Sequence, residues 1–97
     1  MDREFVIATL RQHADKLRGL GAAHVFLFGS VARDQAGPAS DVDLFIDFDD
    51  PRFSLIELAA IKHRLEGMLH GTADVMTRGS LHPMLRPEIE RTAMQVF

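Results

Sequence analysis

Apolar residues recur first at helical spacing, then in short continuous or alternating runs, then at helical spacing again. Asp2 to Arg18 carries Phe5, Val6, Ala8, Thr9, Leu10 and Leu17 on an imperfect apolar stripe, which predicts an amphipathic packing helix with His13 on its solvated face. Asp2 is placed to cap it and Gly19 or Gly21 to stop it. His24-Val25-Phe26-Leu27-Phe28 is unbroken, β-branched and aromatic, the pattern of a buried strand. Asp41 to Phe48 alternates: Asp41, Asp43, Phe45 and Asp47 fall on one face, and Val42, Leu44, Ile46 and Phe48 on the other. Asp49-Asp50-Pro51 ends that strand. Ser54-Leu55-Ile56-Glu57 has the form of a capping box, with Phe53 and Leu58 placed as a hydrophobic staple. The helix it opens is expected from Leu55 to about Leu69, with Gly71 as a left-handed stop and Leu55, Leu58, Ala59, Ile61, Leu65, Met68 and Leu69 on the core side. Thr72 to Thr77 reads as a third strand, Pro87 to Ala93 as a short helix, and Gln95-Val96-Phe97 as a possible edge strand. The polar segment Asp34 to Ser40, with Gly37-Pro38, is expected to lack regular structure.

Composition narrows the class. Ninety-seven residues suffice for one domain with one modest core, so residues 1–97 are expected to form a single domain. There is no cysteine, hence no disulfide framework and no thiol chemistry. No apolar run approaches a membrane span and the N-terminus lacks a signal-peptide pattern, so a soluble, cytoplasmic protein without a membrane partner is expected. A net charge of −3 with no basic stripe argues against extended nucleic-acid binding.

The chemistry concentrates in one stretch. Gly29 follows the first strand and permits a tight turn with close backbone approach. Ser30 to Arg33 can then form a helical turn whose free N–H groups suit an anion such as a phosphate. After a gap of ten residues beyond Ser30 come Asp41 and Asp43, two carboxylates on one face of an otherwise apolar strand. They repel each other, and an oxygen-seeking dication between them relieves that repulsion and can bridge to phosphate oxygens. Together the two halves imply a nucleoside triphosphate carrying magnesium. Asp47 lies about 13 Å further along the strand at about 3.3 Å per residue, too far to share the ion. Asp74, inside the third strand and grouped with Thr72 and Met76, also requires a reason. His63 and His70, seven apart, do not have usual metal-ligand spacing, and Arg78, Arg86 and Arg91 read as solvated charges or as the lining of a nucleotide or partner surface.

Gly29-Ser30, the ten-residue gap and Asp41-x-Asp43 resemble the signature of the DNA polymerase beta-like nucleotidyltransferase superfamily. The form Gly29-Ser-x-Ala-Arg33 with Ser40-Asp41-x-Asp43-Leu44 is similar to its minimal nucleotidyltransferase (MNT) branch, antitoxin-like partners of HEPN-domain proteins, over nearly the whole chain. Asp34 stands where that branch usually has glycine; aspartate is among the residues that tolerate a left-handed backbone, and it sets a further carboxylate near the proposed phosphates. The expected fold is α+β: a small mixed sheet with helices packed on one face and the carboxylates on the open face. The resemblance further implies that Gly29 and Ser30 hold phosphates, with Arg33 as a weaker contact. It implies that Asp41, Asp43 and Asp74 are catalytic and bind two Mg2+ ions, and that ATP is the substrate. It also implies the acceptor: a tyrosine on a HEPN-type ribonuclease toxin, held in a hetero-oligomer. A chain this short has little room for an acceptor-binding domain, which fits an acceptor brought by a partner. Two other classes stay open: an antitoxin that neutralises its toxin by binding alone, with a weak or vestigial nucleotide site, and a nucleotidyltransferase acting on small molecules or nucleic acid.

Overall fold

The computed structural model describes residues 2–35, 37 and 41–97. Asp2 caps helix α1 (Arg3–Gln12), its carboxylate accepting the Phe5 N–H at 3.1 Å. The expected single helix is two: α1 ends at His13 and α2 (Ala14–Gly19) restarts there. The His13 ring turns back to the Thr9 carbonyl, Nδ1 to oxygen 2.9 Å, so His13 is a half-buried joint and not a solvated residue. Val6, Ile7, Leu10 and Leu17 are buried, while Phe5 and Ala8 of the expected stripe are exposed. Gly21 makes the turn into the sheet with φ 113°, and a Cβ there would meet the Phe53 ring at 2.7 Å.

Strand β1 (His24–Phe28) runs into a single helical turn, α3 (Gly29–Ala32), and strand β2 (Val42–Asp47) returns antiparallel to β1, pairing Phe28 with Asp43 and His24 with Asp47. Asp34 follows α3 with φ 59°, a left-handed conformation that aspartate tolerates better than most residues. Of the loop expected over Asp34 to Ser40, Ala36 and Pro38 to Ser40 lie outside the described residues.

Helix α4 (Leu55–Leu69) is opened by the capping box: Ser54 Oγ accepts the Ile56 N–H, Glu57 accepts the Ser54 N–H at 2.9 Å, and the two side chains bond each other. Its core side is Ile61, Leu65 and Leu69, with Leu58 and Met68 half-buried; Leu55 is 80% exposed and Ala59 is also exposed, contrary to the expected stripe. The left-handed residue at its end is His70 (φ 55°), one position before the expected Gly71.

Strand β3 (Ala73–Thr77) lies parallel to β2 and pairs Asp43 with Asp74. A 3-10 turn (Arg78–Ser80) leads towards α5 (Arg86–Thr92), with Pro87 in its first turn, and β4 (Met94–Gln95) pairs antiparallel with β1. The sheet order is β3-β2-β1-β4. Val25, Leu27, Val42, Leu44 and Ile46 pack beneath the helices, so the expected α+β arrangement holds. Among the described residues no helix is long and apolar enough to cross a membrane.

Candidate active site

In-register pairing sorts the open face of the sheet into rows. At one end stand Phe28, Asp43 and Asp74, side by side on β1, β2 and β3. In the middle are Phe26, Phe45 and Met76; at the far end His24 opposes Asp47. The carboxylates of this row come from two strands, with Phe28 of a third beside them, and no strand holds the site alone.

Gly29 is required there twice over. Its φ is 76°, and a Cβ built on it would collide with the Asp43 carboxylate, so only glycine lets Asp43 lie against the start of α3. Arg3 fastens α3 to α1 through a 3.2 Å bond to the Ala32 carbonyl. Arg33 is exposed and bonds Gln35 Oε1 at 3.2 Å.

The electrostatics are those of crowded carboxylates. Partial burial, then Asp74, then Asp41 push the Asp43 carboxyl up from its ordinary value; Arg33 offsets part of this. Asp41 sits just before β2, is exposed, and accepts a hydrogen bond from the Thr72 hydroxyl. Asp74 is exposed on the edge strand. Among the described residues no group of three or more His, Cys, Asp or Glu side chains is assembled to hold a metal ion. The donor set nevertheless suits a hard dication, being carboxylate oxygen throughout, and the mutual repulsion felt by Asp43 is what such an ion relieves.

The expected residues therefore gather at one end of the sheet: Gly29 against Asp43, Asp74 beside it, Asp41 and Arg33 near enough to shift its titration. Thr72, which orients Asp41, and Glu66, which accepts the Ala73 N–H at 3.0 Å and so fixes the start of β3, escaped sequence reasoning. So did Arg78. It is no solvated charge: it bonds Asp47 at 2.8 and 3.0 Å and Glu90 at 2.7 Å, and lies 4.7 and 5.0 Å from the Phe26 and Phe45 ring centres. Arg86 and Arg91 likewise pair with Glu90 and Glu88. A helical residue cannot be matched to a carboxylate on another element from spacing alone. The run of Phe26, Phe28 and Phe45 on one face was the available signal of something covering it.

Fold and site define a nucleotide-transferring class. The family model for the nucleotidyltransferase domain matches residues 9–95, and the chain belongs to that family. It is a nucleotidyltransferase domain. A protein of Methanocaldococcus jannaschii provisionally named a protein adenylyltransferase is 36% identical over 77 residues, which cover 79% of this chain and 82% of the relative. A solved structure provisionally described as a minimal nucleotidyltransferase superposes with TM-score 0.84 at 36% identity, covering 97% of this chain and 95% of its own. The fold also matches, at 18% identity and TM-score 0.66, a chain in a complex of a tri-AMPylated HEPN toxin of Shewanella oneidensis with its MNT antitoxin, over 94% of this chain and 71% of that one.

Proposed function

We propose that this single domain is an antitoxin that transfers AMP from ATP, with magnesium, to a tyrosine of a partner HEPN ribonuclease toxin held in a hetero-oligomer in the cytoplasm. The observation that carries the reading is the carboxylate row: Asp43 and Asp74 in register on adjacent strands, with Gly29 pressed against Asp43. The complex named above, of a tri-AMPylated HEPN toxin with its MNT antitoxin, supports the choice of acceptor.

In this reading the Gly29 and Ser30 N–H groups and the Ser30 hydroxyl bind the β- and γ-phosphates, and Arg33 adds a weaker phosphate contact. Asp41, Asp43 and Asp74 are the residues that would hold two magnesium ions. When bound, magnesium supplies charge neutralisation at the phosphates and polarises the attacking oxygen. Asp74 accepts the proton of the attacking tyrosine hydroxyl. The oxygen forms its bond to the α-phosphorus as the bond to pyrophosphate breaks, and the AMP group passes to the partner. Catalysis is positioning and charge stabilisation. The test is to mix the purified protein with a HEPN partner, magnesium and ATP labelled in the α-phosphate. Label on the partner that disappears with Asp41→Asn supports the reading; full transfer by Asp41→Asn contradicts it.

A second reading, neutralisation by binding alone, draws on a different observation. Leu55 and Ile56 stand side by side at the start of α4, each 80% exposed, an apolar step that a stable partner would cover. Toxin suppression by a stable complex without ATP, and with no label on the partner, would favour it.

A further inference from the structure

Beyond the carboxylate row, the helical layer holds a concave site. A groove of about 430 Å³ opens between the α1–α2 joint and α4, lined by His13, Lys16, His63, Arg64, Gly67 and Met68. It belongs to the other side of the sheet from Asp43 and Asp74, where α1 packs on α4 and α4 on β3.

Its charge departs from that of the rest of the molecule. The chain carries −3 overall, yet no carboxylate lines this groove. Arg3, Arg18, Arg52, Arg78, Arg86 and Arg91 are all paired with acids. Among the described residues five cations, Arg11, Lys16, Arg33, Lys62 and Arg64, are in no ion pair; Arg11 and Arg33 bond the Val96 carbonyl and Gln35, and two of the remaining three, Lys16 and Arg64, line this groove. The two acids nearest in sequence are engaged elsewhere: Asp15 on Arg18 and Glu66 on the Ala73 N–H. His13 donates through Nδ1 to the Thr9 carbonyl, which leaves Nε2 of the neutral ring as an acceptor for the hydroxyl of a protonated phosphate. Gly67 has no heavy atom within 4 Å of where a Cβ would stand, so the α4 wall is low there.

We propose that this groove binds the phosphate group of a small ligand. A planar guanidinium, an ammonium and the His63 ring on one concavity, with His13 Nε2 to accept a phosphate hydroxyl, match a tetrahedral anion with several oxygens better than a carboxylate with two. The groove is too short a basic surface for a polyanion that must also pass an acidic exterior. The inference is independent of the transfer reaction proposed above.

The test is an amide chemical-shift titration of the full chain in EDTA, with inorganic phosphate and with AMP as probes. Saturable shifts at His13, Lys16, His63 and Arg64 are expected, weakened at least about tenfold in Lys16→Gln/Arg64→Gln, the loss of charge-assisted contacts. They should persist in Asp43→Asn, which touches only the carboxylate row. Equal affinity for the two probes assigns the site to phosphate itself; tighter AMP binding assigns it to a nucleotide. Absence of saturable shifts, or shifts unchanged in the double variant, overturns the proposal. So does tighter binding of an oligonucleotide that grows with length, or of a glutamate-rich peptide. Lys16→Gln and Arg64→Gln are exposed single changes, and either alone gives the same reading should the double variant unfold.

Discussion

At the scale of single residues, Gly29 and Asp43 act as one unit. The glycine was legible in the sequence as a turn former, but its second duty was not, because the collision of a Cβ with Asp43 depends on the β1–β2 register. Gly29→Ala should therefore cost more than the roughly 1 kcal/mol of an ordinary left-handed glycine, read as a lowered midpoint in urea, and should remove activity even where the protein remains folded. Asp43→Asn should do the reverse for stability. Burial and two neighbouring carboxylates disfavour the charged form of Asp43, so a neutral amide of the same shape should leave the melting temperature at neutral pH equal to or above that of the unchanged protein, while transfer is lost. A clear drop in melting temperature would show that Asp43 holds the fold and not only the ligand.

Among elements, two clips decide how the sheet is held. The capping box on α4 was readable from Ser54 and Glu57 because it is local; Ser54→Ala should cost about 1 kcal/mol, measurable by thermal denaturation. The Arg78 clip was not readable, since it joins the end of β3 to β2 through Asp47 and to α5 through Glu90. Its hydrogen bonds to Arg78 hold the Asp47 and Glu90 carboxyls below their ordinary range. A depressed folded pKa contributes stability above the unfolded value, and that contribution is lost as pH falls through the folded one. The protein should therefore lose stability as pH drops below the usual carboxylate range, and Arg78→Ala should flatten that part of the curve. At neutral pH Arg78→Ala should cost about 1–2 kcal/mol through the lost ring stacking and Asp47 contacts, after allowance for solvent screening. Helix identities and most boundaries were legible for the same reason as the capping box. The exceptions are the break at His13, where the ring turns back four residues to the Thr9 carbonyl, a side-chain bond that an apolar stripe does not encode, and Leu55 in the first turn of α4, which is exposed.

Across the whole molecule, the sheet converts a linear motif into a row. Asp41-x-Asp43 and Gly29-Ser30 could be read from spacing, and Asp74 from its isolation in a β-prone run, but only the parallel β2–β3 register sets Asp74 opposite Asp43. The row stands on the face opposite the core that α1, α2 and α4 cover, with Arg78 and α5 over the far end of that same face. Adenylyl transfer by this row is the activity we propose. The direct measurement is the intact mass of a HEPN partner after incubation with magnesium, ATP and either the unchanged protein or Asp43→Asn, both shown to be folded by circular dichroism. The partner should gain one or more AMP groups with the unchanged protein and none with Asp43→Asn. An equal gain with both would contradict the proposed activity.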